Sequence, residues 1–295
     1  MKATTYTSGS KFLEVAGNWL ERQEVVNNLM LGLATRLANA EKPAEPPPVM
    51  MTVSGSQGLE GAALMTPPRG VVLYAHTDDT QEALDGLAEA LLAGGYPVPE
   101  CVGPSVSAGL FAKIWSDRTG RAAVKKTAQR IYELRQVRFP CGVPGSARPP
   151  RTEDLDLLAR WTHEFILAVG EPGDAQASRT SAERAIAGGQ SLLWEHEGQP
   201  VSMAAAVRPT RHGIAIGQVY TPPEHRGYGF ASACVAELSQ RQLNADRQFC
   251  CLYTDLANPT SNSIYQKIGY ADVADSSHYR FYTAGKQADR CGNPA

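Results

Sequence analysis

A chain of 295 residues that is 43% hydrophobic, 20% charged and formally −2 in net charge has apolar material for about two domains of ordinary size. That balance excludes a disordered chain and a polybasic nucleic-acid binder, so no nucleic-acid partner is expected. No stretch reaches the roughly 18 uninterrupted apolar residues of a membrane span, and the opening MKATTYTSGSKFLEVAGNWL lacks the apolar core of a signal peptide. A cytoplasmic protein that does not engage a membrane is the expectation. The cysteines (Cys101, Cys141, Cys234, Cys250, Cys251 and Cys291) show no C-x-x-C spacing, which argues against a zinc ribbon or a disulfide framework. No metal is expected, and Cys250 and Cys251, inside an apolar run, read as reduced core thiols.

In chain order, residues 10–40 read as helical: Phe12, Leu13, Ala16, Trp19 and Leu20 fall at helical spacing, and a second segment follows through Leu29, Leu33 and Leu37. EKPAEPPP interrupts the helical pattern. Three short strand-like runs follow, VMMTVSG, GAALMTP and GVVLYAH, then a helix in TQEALDGLAEALLAGG, another in SAGLFAKIWSDRTG, and a strand pair around VKKTAQRIYELRQV. The Pro- and Gly-rich RFPCGVPGSARPPR marks a linker over residues 139–151, between a first domain over 1–138 and a second over 152–295. The same order then returns. Helices are expected in TEDLDLLARWTHEFILAVG, starting at Thr152, and in SAERAIAGG. Strands follow in QSLLWEHEG, QPVSMAAAVRPT and GIAIGQVYTPP, with a helix from about Tyr228, a strand in FCCLYTDL, a helix in PTSNSIYQKIG and a last strand near HYRFY. GAALMTPPRGVVLYAHT beside SMAAAVRPTRHGIAIGQVYT supports a duplicated domain.

The stretch GQVYTPPEHRGYGFA carries the chemistry. An apolar strand ends at Tyr220 and a helix begins within a few residues of Gly227. A helix N-terminus holds unpaired N–H groups and about half a positive charge, so backbone that a ligand can approach there forms an anion site. Gly227 and Gly229 allow the approach, Arg226 adds a cation suited to phosphate oxygens, and Ala231 keeps the first helical turn slim. The loop is neither a Walker loop, lacking Gly-Lys-Ser/Thr, nor a dinucleotide fingerprint, since it follows apparent hairpins late in the chain.

Arg226-Gly227-Tyr228-Gly229-Phe230-Ala231 resembles the R/Q-x-x-G-x-G/A signature of the GNAT acyl-CoA N-acyltransferases. LYTDLANPTSNSIYQKIGY resembles the strand, Asn-started helix and Tyr-x-x-x-Gly-aromatic ending that follow it in that family. The resemblance covers about residues 152–285. It implies an α+β fold of two tandem GNAT domains, each a mixed, mostly antiparallel sheet flanked by helices. The first is degenerate, since TDDTQEALDGL stands where its phosphate loop belongs. By the same resemblance, acetyl-CoA is the co-substrate and the amides of Arg226, Gly227, Tyr228, Gly229, Phe230 and Ala231 hold its pyrophosphate, with Ser232 assisting. Val219, Tyr220 and Thr221 run beside the pantetheine, and a backbone N–H of the Val219–Tyr220 strand serves the oxyanion. Asn258 and Ser261 lie along the same arm or near the nucleotide side, and Tyr265 protonates the departing thiolate.

On the residues' own account, Tyr265 also fits simple packing with Ile264 and Ile268, and Asn258 before Pro259 is a good helix cap. An amine acceptor with a pKa near ~10.4 must lose a proton before it attacks. Asp255, at a strand end, is the first candidate to bind or deprotonate it, though it also suits a turn; Glu195 and His196 are weaker substrate-binding candidates. Two-domain members of this kind resemble enzymes that acetylate small cationic natural products, including self-resistance acetyltransferases of antibiotic producers such as the paenilamicin acetyltransferase. The expected enzyme is thus an N-acetyltransferase acting on a primary amine of a small cationic molecule, an antibiotic in the case of resistance. A peptide or protein amine, a longer acyl donor and a non-catalytic CoA-binding scaffold are the alternatives. A tandem pair also suggests a monomer with a pseudo-dimeric pair of domains.

Overall fold

Strand β2 (Val49–Gly55) shows how the first half folds. Its side chains alternate between two faces, and both are buried. Val49, Met51 and Val53 share one apolar cluster with Ala83, Leu84, Leu87 and Leu91, whereas Met50 shares another with Phe12, Leu20, Met30 and Leu31. In the computed structural model, which describes residues 1–42, 44–56, 58–76 and 80–283, the first group lies on α3 (Thr80–Ala93) and the second on α1 (Gly9–Glu21) and α2 (Asn28–Ala38). The apolar periodicity of residues 10–40 thus becomes two helices covering one sheet face.

The strands β1 (Lys2–Tyr6), β2, β3 (Gly58–Met65), β4 (Val71–Ala75) and β5 (Glu100–Pro104) lie side by side in that order. Pairing is antiparallel up to β4, whereas β4 and β5 are parallel. α4 (Ser105–Thr119) follows β5 and adds Phe111 and Trp115 to the α3 side of the core. The aspartates of TDDTQEALDGL just before α3 lie outside the described residues.

The second half repeats this plan. β8 (Ser191–His196), β9 (Gln199–Pro209) and β10 (Gly213–Tyr220) are antiparallel neighbours, and β10 pairs in parallel with β11 (Phe249–Asp255). α5 (Leu155–Ala168) and α6 (Ala175–Gly188) cover one face with Leu158, Trp161 and Ala182 against Leu193, Met203 and Tyr220. α7 (Phe230–Asn244) and α8 (Pro259–Ile268) cover the other, where Leu192, Ala204, Ala206, Ile214, Ile216, Cys250 and Leu252 meet Phe230, Ala233, Cys234 and Ile268. Along β8, Leu192 and Trp194 serve one face and Leu193 the other, whereas β9 and β10 each change face at a register shift.

The structure differs from the sequence reading in several places. VKKTAQRIYELRQV contributes to one long strand, β6 (Ala122–Leu134), rather than a pair, because its polar stretch holds no turn residue. The Pro- and Gly-rich stretch carries a strand, β7 (Ser146–Arg148), paired antiparallel with β8. Arg148 anchors it, donating from Nη1 and Nη2 to Asp154 at 2.7 and 3.0 Å and from Nε to Glu195. Thr152 does not cap a helix: Thr152–Asp154 forms a 3-10 turn before α5, and Asp154 accepts from the Arg151 N–H at 2.7 Å. The last strand is longer than HYRFY and runs as β12 (Ala271–Tyr282).

Contacts divide the chain into two compact units that do not follow its linear order. One comprises residues 1–131, 255–257 and the chain from Val273; the other comprises 132–254 and 258–272. Hence Tyr132 and Leu134, at the end of β6, join the apolar core under α7, and Ser276–Arg280 of β12 pair antiparallel with β5.

Candidate active site

In the second unit, β10 and β11 are in parallel register only from Gly213 opposite Phe249 to Ala215 opposite Cys251, yet within that unit β10 continues to Tyr220 and β11 to Thr254. Beyond that register the strands part. On its other edge β10 is irregular: the pairing with β9 shifts between Gly217 and Tyr220, and Gln218 within the shift has φ 49°. A bulge with a non-glycine residue in the left-handed region costs free energy, so its neighbours must hold it. The Gln218 amide donates to Ser181 Oγ at 3.3 Å, and Ser202 Oγ donates to the Tyr220 carbonyl at 3.2 Å while bonding Thr221 Oγ1 at 2.8 Å. Tyr220 is buried against Trp161, ring centroids 6.3 Å apart. Burial, with Glu164 beside it, raises its phenol pKa.

After Thr221 a 3-10 turn, Pro223–His225, leads to the glycine loop. Arg226 Nε donates to the Thr221 carbonyl at 2.9 Å, which fixes the root of the loop and leaves the exposed end of the guanidinium for an anion. Gly227 and Gly229 have φ 87° and 83°, the left-handed region in which a side chain is strained. A Cβ on Gly227 would meet no atom within 4 Å, whereas one on Gly229 would stand 3.0 Å from Val143 Cγ2. Gly227 therefore leaves open space for a ligand, and Gly229 permits close packing. Because Gly229 is left-handed, α7 starts at Phe230 rather than near Tyr228. No side chain caps α7 and its first turn has no acidic residue. The first intrahelical bond, from the Ala233 N–H to the Gly229 carbonyl at 3.0 Å, leaves the amides of Phe230, Ala231 and Ser232 without an intrahelical acceptor. The exposed Tyr228 ring stacks on Phe230 at 5.6 Å, and the His196 ring lies 5.4 Å from Phe230 on its own account. His196 is thus brought to the glycine loop.

Asn258 caps α8, its Oδ1 accepting from the Ser261 N–H at 3.0 Å, and the Asn262 amide donates to the Asn258 carbonyl at 2.7 Å. Tyr265, on the same helix, is half-buried, edge-on to Tyr270 at 5.9 Å. Burial pushes its phenol up to about 12. Asp255, the last residue of β11, is exposed and accepts from the Ala257 N–H at 2.8 Å, the turn-forming contact that its sequence position also allows. Glu195 is held in the ion pair with Arg148. Cys234 and Cys250 are buried, and desolvation raises both thiols to about 12, so they are protonated at neutral pH. Among the described residues, no cluster of His, Cys, Asp and Glu could hold a metal ion.

The sequence profile described as FR47-like protein matches residues 196–280, a span that contains the glycine loop, β11 and α8. No curated protein matches the chain in sequence. Solved structures do. An acetyltransferase from the GNAT family of Colwellia psychrerythraea is 13% identical, with 96% of this chain and 100% of that one covered at a TM-score of 0.58. A GCN5-related N-acetyltransferase from Sphaerobacter thermophilus is 16% identical, with 94% and 95% covered at a TM-score of 0.58. The chain has the GNAT fold. A tandem GNAT protein from the clavulanic acid biosynthesis pathway, solved without AcCoA, also covers both halves: 94% of this chain and 98% of that one, at 12% identity and a TM-score of 0.54. At such identities the likeness concerns the GNAT fold alone.

Three features of this GNAT unit were outside the sequence reading. The strained Gln218 with its Ser181 contact leaves no trace in residue identity, and neither does the Ser202 hydroxyl under the end of β10. The third is Arg208, which also has a positive φ, 50°.

Proposed function

We propose that the second unit is an acyltransferase that moves an acetyl group from acetyl-CoA to a primary amine. The observation that carries this is the uncapped N-terminus of α7, reached through Gly227 and Gly229, immediately after a strand that parts from its parallel neighbour. The residues fit the co-substrate. Open space in front of Gly227 and the first-turn amides of Phe230, Ala231 and Ser232, which have no intrahelical acceptor, suit a pyrophosphate, with the Arg226 guanidinium beside it. Tyr228 and Gly229 complete the loop. The edge of β10 at Val219, Tyr220 and Thr221 suits an extended amide-bearing arm, which would pair with it as an added strand, and Asn258 and Ser261 border the α8 side. Acetyl-CoA would supply an activated thioester carbonyl. The chain's own part is to orient it, donate an N–H to the carbonyl oxygen from β10, and move two protons.

Tyr265 is the residue we assign to the sulfur's proton. Its raised pKa keeps the hydroxyl protonated throughout the neutral range, as a donor requires. Asp255 is assigned to the amine's proton, directly or through water. The buried, protonated thiols favour direct transfer over a cysteine-bound acyl group. A small-molecule acceptor is retained from the tandem resemblance, and an antibiotic is one form of it. The test is acetyl-CoA titration by calorimetry on wild type and Arg226→Glu, followed by CoA-thiol release with a panel of amines. Tight wild-type binding, at least a tenfold loss in the variant and amine-dependent thiol release support the reading. Equal binding by both proteins removes the cradle from it.

A further inference from the structure

Arg208 is a half-buried cation with no ion-pair partner among the described residues. It sits in a second irregularity of the β9–β10 pair, where the register shifts between Ile214 and Ala215, and its backbone is left-handed with φ 50°. The side chain is half-buried, and Nε is shut off from solvent with no hydrogen-bond acceptor among the described residues. The guanidinium instead lies over the ring of Tyr253, 6.0 Å from its centroid. A guanidinium held by a ring face does not spend its N–H groups on that contact, and they can donate to another molecule. A buried N–H without an acceptor and an arginine held in the left-handed region both cost stability, a combination that persists mainly where a side chain serves a ligand.

The location identifies the ligand's place. Ile214, Ile216, Cys250 and Leu252 face α7 and α8, so by alternation Ala215, Gly217, Cys251 and Tyr253 face the other side of the sheet. Tyr253 lies two residues past Cys251, the last residue in register with β10, and so at the height where the strands part. Arg208 reaches it from β9 across β10, whose residues on that side, Ala215 and Gly217, are small enough to let the chain pass. The cation therefore stands at the opening between β10 and β11, on the face opposite the glycine-loop helix.

We infer that Arg208 binds a carboxylate on the amine acceptor, so that the preferred substrate is a zwitterionic, amino-acid-like amine rather than a polycation. This rests on the acyltransferase reading and sharpens it. One guanidinium neutralises one planar anion through a bidentate pair, whereas a phosphate dianion would leave a charge unbalanced and a polycation would be repelled. The outer N–H groups of the guanidinium would then exchange water for the carboxylate in the loaded protein.

The experiment uses matched probe pairs with acetyl-CoA: glycine against methylamine, L-phenylalanine against phenethylamine, and L-lysine against cadaverine. Wild type, Arg208→Gln and Arg208→Lys are compared by CoA-thiol release, and each is first checked for unchanged acetyl-CoA binding and thermal midpoint. At least one carboxylated probe is expected to exceed its partner at least tenfold in kcat/KM. Arg208→Gln should abolish that preference through KM, Arg208→Lys should keep part of it, and the carboxylate-free probes should be unaffected. A preference unchanged in Arg208→Gln, or a general preference for the carboxylate-free probes, overturns the inference and leaves the acyltransferase reading standing. Succinyl-CoA with phenethylamine forms a further arm: a gain that depends on Arg208 there, without one on the amine side, moves the carboxylate to the acyl donor and also overturns it. If no amine releases thiol, the acyltransferase reading fails instead. Calorimetric titration of L-phenylalanine into wild type and Arg208→Gln then still reads the carboxylate site: binding lost in the variant supports it, and equal binding or none overturns it.

Discussion

A tyrosine packed among aromatics is usually just core, and Tyr265 has the edge-on contact with Tyr270 that such a role requires. What separates the two roles is the hydroxyl. Tyr265→Phe keeps the ring and its packing and removes only the proton, so a packing role predicts unchanged kinetics. The proton-donor role predicts a fall in kcat of about 100-fold, the lower range for general acid catalysis, with acetyl-CoA affinity unchanged. Because burial raises the phenol to about 12, its protonated form persists and kcat should show no alkaline decline from this group up to pH 10. Single-turnover thiol release across pH checks both expectations. At this scale legibility is uneven. Tyr265 and Asn258 belong to a spaced motif and could be located from sequence; Gln218 and Arg208 could not, because a positive φ at a non-glycine residue is imposed by strand register rather than by the residue itself.

The loop before α7 depends on two glycines with different surroundings, and the difference can be used. Alanine at either position meets the same left-handed backbone penalty, about 1 kcal/mol. At Gly229 the added methyl also presses on Val143, whereas at Gly227 it projects into open space. Gly227→Ala should therefore lower stability by about 1 kcal/mol and yet weaken acetyl-CoA binding more than tenfold, because its methyl occupies the space assigned to phosphate. Calorimetry with a denaturation curve checks this; normal affinity in a protein destabilised by that amount would mean that the loop is only a tight turn. The elements readable in advance were those with strong periodicity or glycine punctuation: the helices, and the strands from VMMTVSG to GVVLYAH and their counterparts. β1, β5 and β7 escaped for physical reasons. β1 is polar and largely exposed, β5 is framed by prolines, and β7 is three residues long.

Across the whole chain, the duplication visible in the sequence hides an exchange. The linear division at residues 139–151 follows Pro and Gly content, whereas the compact units follow contacts, and the chain from Val273 belongs with residues 1–131. The exchange is held by charge as well as by the ladder. Glu100 of β5 accepts from His278 Nε2 at 2.8 Å and is paired with Arg280, both on β12. Burial alone would raise the Glu100 pKa, but the bond and charge of Arg280 with the charge of His278 outweigh it and hold the carboxyl below its ordinary value of 4.5. A carboxyl depressed in the folded state stabilises that state above its unfolded pKa, and the contribution disappears as pH falls through the folded value. The first unit should therefore weaken below pH 4.5, and Glu100→Gln should flatten that dependence while lowering stability at neutral pH. The same exchange predicts that residues 1–138 expressed alone will lack the partner of β5, expose its unpaired edge and aggregate, and that a synthetic peptide spanning 271–283 will restore a cooperative unfolding transition. A soluble, cooperatively folding 1–138 fragment with no response to the peptide would show that the returning strand is dispensable, and that each half of the duplication folds on its own sequence.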